Sequence, residues 1–129
     1  MGISKQSRPI LCPQGTQSVI PNAEPDYSTS EVQLNQKWID GSTIYRKVVD
    51  IGSLPDNSSS ATAHGITGIG TVIRLHGYVS DGTTQFPLPT AGSAWSIFIT
   101  VDATNVNATA AGAGEEAFSG SVIIEYTKA

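Results

Sequence analysis

The chain has 129 residues, enough for one compact domain and too few for two well-buried ones. Charged residues make up only 14% and apolar residues 39%, while Ser and Thr together supply 28 positions. That composition excludes a helical bundle with charged outer faces, and a net charge of −4 removes the electrostatic basis for holding a phosphate backbone, so nucleic acid is not an expected partner.

Cys12 is the only cysteine, so neither an intrachain disulfide nor a thiolate zinc cluster can form. His64 and His76 stand in no metal-ligand spacing, and no metal or other cofactor is expected. No apolar run approaches the roughly 18–20 residues of a membrane span, so membrane insertion is not expected. The N-terminus lacks an apolar signal core, and Gln6 stands where a myristoylation site wants Ser or Thr. These features point to a product of a reducing cytoplasm.

Residues 1–35 hold four of the seven prolines, Pro9, Pro13, Pro21 and Pro25. Their apolar residues come as two short pairs, Ile10-Leu11 and Val19-Ile20, each close before a proline. Proline removes a donor and pushes its predecessor out of the helical region, so this stretch reads as extended. It cannot build a core alone. Either it is a leader with no fold of its own, or it orders on a partner with Ile10, Leu11, Val19 and Ile20 as apolar anchors.

From residue 36 onward the pattern is one of strands punctuated by turns. A short strand is expected at Lys37–Ile39, reversed by Asp40-Gly41 into a long strand over Thr43–Ile51. Leu54–Ser60 has loop composition, and Gly70–Ser80 is the second long strand. Asp81-Gly82 turns the chain into Phe86-Pro87-Leu88-Pro89, which its prolines bar from a central strand. Ala94–Asp102 alternates cleanly over its second half, which puts Trp95, Ile97, Ile99 and Val101 on one face and Ser96, Phe98, Thr100 and Asp102 on the other. Val106–Ala110 is a weaker strand, Ala111–Glu116 a small-residue loop, and Phe118–Thr127 the last strand. Short strands, frequent turns and no helical period indicate an all-β antiparallel sandwich or small barrel.

No constellation argues for an enzyme. Glu115-Glu116 sits in a run of Ala and Gly, where two carboxylates are simply solvated. His64 lies near Ser58, Ser59 and Ser60, but no nucleophile elbow exists, and a structural histidine is the expectation. Arg74, His76 and Tyr78 share one parity of their strand and form a row facing solvent, a glycan or a neighbouring subunit.

One signature is distinctive. Tyr27-Ser28-Thr29-Ser30-Glu31 is followed by Trp38-Ile39-Asp40-Gly41-Ser42-Thr43-Ile44-Tyr45-Arg46-Lys47. It resembles an element of small bacteriophage fibre domains, Tyr-Ser-Thr-x-Glu and then Trp-x-Asp-Gly-Lys-Pro-Ile-Tyr-Arg-Lys. The resemblance is strong over residues 27–51 and looser to residue 129. Trp38, Asp40, Gly41, Ile44, Tyr45, Arg46 and Lys47 match; the chain departs at Ser42-Thr43, where Lys-Pro is usual, and has no glycine before Lys37-Trp38. Asp40-Gly41 would turn the chain and let Trp38 and Ile44 pack across a hairpin.

The resemblance implies a β-sandwich module on a virion, assembled as a homotrimer, with no catalytic residues to transfer. The composite expectation is a jelly-roll-like sandwich over residues 36–129, carried by an extended N-terminal arm over residues 1–35. The arm would hold other virion proteins of tail, baseplate or capsid, and the sandwich would meet a host surface glycan or protein. A tail-borne short fibre or spike is the first reading. A head fibre or capsid decoration protein is the second, and a free binding module unrelated to virions the third.

Overall fold

Short polar side chains that bond their own backbone set the reversals of this chain. The Asp40 carboxylate accepts from the Ser42 N–H at 2.8 Å, and Gly41 takes a φ of 88° that a side chain would strain. Asp81 accepts from the N–H groups of Thr83 and Thr84, and Asp102 accepts from those of Thr104 and Asn105. Between such turns, β-branched residues favour extended chain.

A computed structural model describes residues 24–92, 95–112 and 118–129. The strands are β1 (Val32–Lys37), β2 (Thr43–Ser53), β3 (Ser59–Ala63), β4 (Ile69–Ser80), β5 (Gln85–Leu88), β6 (Thr90–Ala91), β7 (Trp95–Val101), β8 (Asn105–Gly112) and β9 (Ser119–Lys128). They form two antiparallel sheets, one of five strands in the order β1-β2-β9-β4-β5 and one of four in the order β3-β8-β7-β6. No helix occurs among the described residues. The fold is all-β, a sandwich of two sheets.

The core lies between the sheets. Val49, Ile51 and Val79 come from the first sheet with Val122, Ile124 and Tyr126 of β9, and Ile97, Val106 and Ala108 come from the second. The alternation read from the sequence in β7 holds: Ile97 is fully buried while Phe98 is 54% exposed. Phe86, Trp95 and Phe118 close one end as a cluster of rings with centroids 5.2–5.6 Å apart. Gly77 and Gly120 let β4 and β9 approach closely, since a Cβ at Gly120 would fall on the Tyr78 carbonyl oxygen.

Several sequence expectations shift. The strand placed at Lys37–Ile39 is instead β1, ending at Lys37, because Trp38 is taken into the turn. Its N–H donates to the Ser42 carbonyl and its carbonyl accepts from Gly41. Trp38 and Ile44 are therefore not a cross-strand pair; the register joins Lys37 to Thr43. The boundary drawn at residues 35 and 36 falls inside β1. The loop at Leu54–Ser60 ends early, because Ser59 and Ser60 begin β3 on β8. Phe86–Leu88 does lie at a sheet edge, in β5. The β2–β3 chain runs beside β9 and β8 from one sheet into the other, as in a jelly roll. After that the Asp81-Gly82 turn keeps β5 beside β4, so the remaining connections are not those of a jelly roll.

Ile124→Ala should cost roughly 2–5 kcal/mol of unfolding free energy, as for other fully buried aliphatic side chains. Ile39→Ser, at a 90% exposed turn position, should change it by less than about 0.5 kcal/mol. Urea denaturation of both variants checks the contrast.

Candidate functional site

The two halves of the Tyr27–Glu31 and Trp38–Lys47 signature meet in space. β1 returns antiparallel to β2 with Val32 opposite Arg46, so the residues before β1 run on along β2. There the Ser28 carbonyl accepts from the Val48 N–H at 2.9 Å. The Tyr27 ring lies under the Arg46 guanidinium, 3.9 Å from centroid to carbon. Arg46 Nη2 donates to the Pro25 carbonyl at 2.6 Å.

Arg46 is a buried cation, 6% exposed, on the face of the five-stranded sheet away from the core. Its charge is met by Glu125, at 4.0 Å on the neighbouring β9, and by the Tyr27 face. Glu125 also lies 3.9 Å from Arg74 on β4, so one carboxylate sits between two guanidinium groups. The row Arg74, His76 and Tyr78 runs from this pair along the same face, opposite Glu125, Ile123 and Ser121. Arg74 and Tyr78 are exposed; His76 is half-buried, and its Nε2 has no hydrogen-bond partner among the described residues.

A second set of bonds fastens the other end of the same segment. The Tyr126 hydroxyl donates to Glu31, and Lys128 Nζ reaches the same carboxylate oxygen at 2.9 Å. Tyr45 stacks on Tyr126 with centroids 6.0 Å apart. Burial pushes the Glu31 carboxyl up, but the bonds from Tyr126 and Lys128 and the charges of Lys128 and Lys47 outweigh it. The carboxyl ends below the usual carboxylate range. Burial first, and then the bond to Glu31, raises the Tyr126 hydroxyl well above its ordinary value.

His64 has a structural part. It accepts from the Ile66 N–H through Nδ1, so Nε2 carries the proton that it donates to the Asp102 carbonyl at 2.9 Å. Both ring nitrogens are occupied within the fold, and Ser58, Ser59 and Ser60 are not among their partners. Beside it a cleft of about 260 Å³ opens between β2 and β3, with Thr29, Lys47, Asp50 and Thr62 in its walls. That is smaller than the roughly 300–1,000 Å³ of small-molecule sites. Among the described residues no three His, Cys, Asp or Glu side chains are grouped to hold a metal, and no helix is long and apolar enough to cross a membrane.

Ile10, Leu11, Val19, Ile20 and the pair Glu115-Glu116 lie outside the described residues. Sequence reasoning missed Glu125, Tyr126 and Lys128 as partners of the signature. The visible signal was the charged Glu125 inside the apolar run Val122–Tyr126. Compared with known protein families, curated proteins and solved structures, the chain matches none.

Two measurements test the clamp. Arg46→Lys keeps the charge but loses the planar fork that serves Tyr27, Pro25 and Glu125 together, and should cost about 1.5–3 kcal/mol. Arg74→Lys, at a side chain 63% exposed, should cost almost nothing. Stability should also fall on both sides of neutrality. Glu31 titrates lower in the fold than its ordinary 4.5, so its contribution is present above that pH and is lost as pH falls. Tyr126 titrates above its ordinary 10.0, so its contribution is present below pH 10.0 and fades as pH rises further. In a pH series of denaturation curves, Tyr126→Phe should flatten the alkaline decline. Glu31→Gln should remove only part of the acid one. Asp102, held down to about 2 by the Asn107 amide and the Thr104 and Asn105 N–H groups, supplies another part.

Proposed function

We propose that this chain is a structural protein of a bacteriophage virion: a homotrimeric short fibre or spike, borne on the tail, that takes part in host attachment. The observation that carries the reading is that the fibre-type signature is spatially one unit. Tyr27, Ser28 and Glu31 close onto Tyr45, Arg46, Val48 and Tyr126, at the point where the chain enters the sandwich. A module hung from a particle by its N-terminal side must carry load at that point. A buried cation with three kinds of partner resists peeling better than a frayed edge strand does.

In this reading residues 1–23 bind other virion proteins of tail, baseplate or capsid, with Ile10, Leu11, Val19 and Ile20 as apolar anchors. The sandwich faces outward toward a host surface glycan or protein, with the Arg74, His76 and Tyr78 row available to it. The role needs no cofactor and no catalytic residue.

Purified particles from a host carrying the encoding genome should contain the chain, and gold-labelled antibody should decorate their tails. Decoration of heads would make it a head fibre or decoration protein instead. Absence from particles would overturn the virion role. Deleting residues 1–23 leaves the Tyr27–Arg46 clamp in place, so melting should shift by no more than about 2 °C, as for the loss of an uncored terminus. Co-sedimentation with particles should be lost. Ile10→Ser with Leu11→Ser should weaken it strongly, each fully buried side chain being worth roughly 1.5–3 kcal/mol. A truncated chain that still co-sediments would sink the anchor.

A further inference from the structure

The flank of the sandwich between β2 and β3 carries polar side chains where inward positions elsewhere are apolar. On β2, Tyr45, Val49 and Ile51 face the other sheet, and Lys47 shares their parity. On β3, Thr62 pairs with Val106 and takes the same inward face as that core residue. Both line the cleft of about 260 Å³, with Thr29 and Asp50 beside them. We propose that this cleft binds a sugar acid: one ring, at the end of a glycan chain, bearing a carboxylate and neighbouring hydroxyls.

Lys47 supplies the charge. Its side chain is half-buried and has no hydrogen bond or ion pair among the described residues. Its charge acts on Glu31, but that carboxylate is already held by Tyr126 and Lys128. Gly65 keeps the space around the ammonium open, since a Cβ there would stand 3.0 Å from Nζ. A half-buried cation without an acceptor gains most from a carboxylate.

The backbone adds donors. β1 pairs with β2 no further than Arg46, and Ser28 takes the next outward N–H, that of Val48. By alternation the Asp50 N–H also points away from β9, to a side where no strand lies. β3 is the edge of its own sheet. Ser58 and His64 bond to β8, so Ala63, of the other parity, turns its N–H outward at the cleft wall. Acceptors for hydroxyls stand close by. Asp50 spends Oδ1 on the Gly52 N–H and leaves Oδ2, and the Val48 carbonyl faces the same open edge. The Thr29 and Thr62 hydroxyls, unbonded among the described residues, can donate or accept.

A neutral sugar would leave Lys47 unpaired, and a doubly charged phosphate would meet the Asp50 carboxylate. The volume lies below that of sites for drug-sized ligands and admits one ring. A net charge of −4 gives an anion no steering, so affinity is millimolar and falls with salt. The site rests on the virion reading only for the source of the sugar, a host surface glycan.

Amide NMR spectra of the full chain, titrated with methyl β-D-glucuronide, are the test. The Lys47, Asp50 and Ala63 signals should shift and saturate. Methyl β-D-glucoside, which lacks the carboxylate, and acetate, which lacks the hydroxyls, should each bind at least tenfold more weakly. Lys47→Gln should weaken glucuronide binding at least tenfold and Thr62→Val about threefold, with circular dichroism unchanged. If Lys47→Gln does not fold, Thr62→Val carries the test. Arg74→Gln, on the outer face, should leave binding intact. Absence of a saturable shift at tens of millimolar glucuronide would overturn the proposal. So would a glucoside or acetate that binds equally well, or binding that both cleft variants leave unchanged. Particle incorporation is scored separately: an incorporated chain that ignores glucuronide defeats the cleft site alone, and a glucuronide-binding chain absent from particles defeats the virion role alone.

Discussion

β9 is the last strand in the chain and the middle one of the five-stranded sheet, and the rest of the fold depends on its being there. It pairs with β2 along one edge and β4 along the other. Val122, Ile124 and Tyr126 on its inner face are wholly buried. Without it, β1–β2 and β4–β5 would be separate hairpins, each marginal in water. Because its neighbours lie far back in sequence, the sheet closes only through long loops, a topology that folds slowly.

The opposite face of the same strand carries the electrostatics. Alternation along β9 sends Ile124 and Tyr126 inward and Glu125 outward, to sit between Arg46 and Arg74. Tyr126 is buried among core residues yet its hydroxyl donates a hydrogen bond to the Glu31 carboxylate. One strand thus seals the core and anchors the segment that precedes β1. Glu31, itself drawn between Tyr126 and Lys128, ties that segment to the end of β9.

The two outer faces differ in the side chains they expose. The larger sheet presents Arg74, the half-buried His76 and Tyr78 beside the clamp; the smaller presents alanine, threonine, asparagine and one phenylalanine, with the Asp102 carboxylate bonded to Asn107.

Much of this was legible in the residues. Asp40-Gly41 and Asp81-Gly82 announce their turns, since Asx bonding and a left-handed glycine are local chemistry. The alternation of Ile97 with Phe98 announces a half-buried strand. β3 was hidden, because Ser59–Ala63 has neither β-branched density nor large side chains and forms a strand only where β8 offers it a ladder. The clamp was half visible: the signature showed which residues go together, but not what they touch. Sequence pattern by itself determined the strand class, the turns and which side chains share a face, all matters of neighbouring residues. Only the tertiary structure decided that β9 enters between β2 and β4 and that Glu31 finds Tyr126, 95 residues away. A period of two specifies the face a side chain takes and says nothing about the strand that will lie beside it.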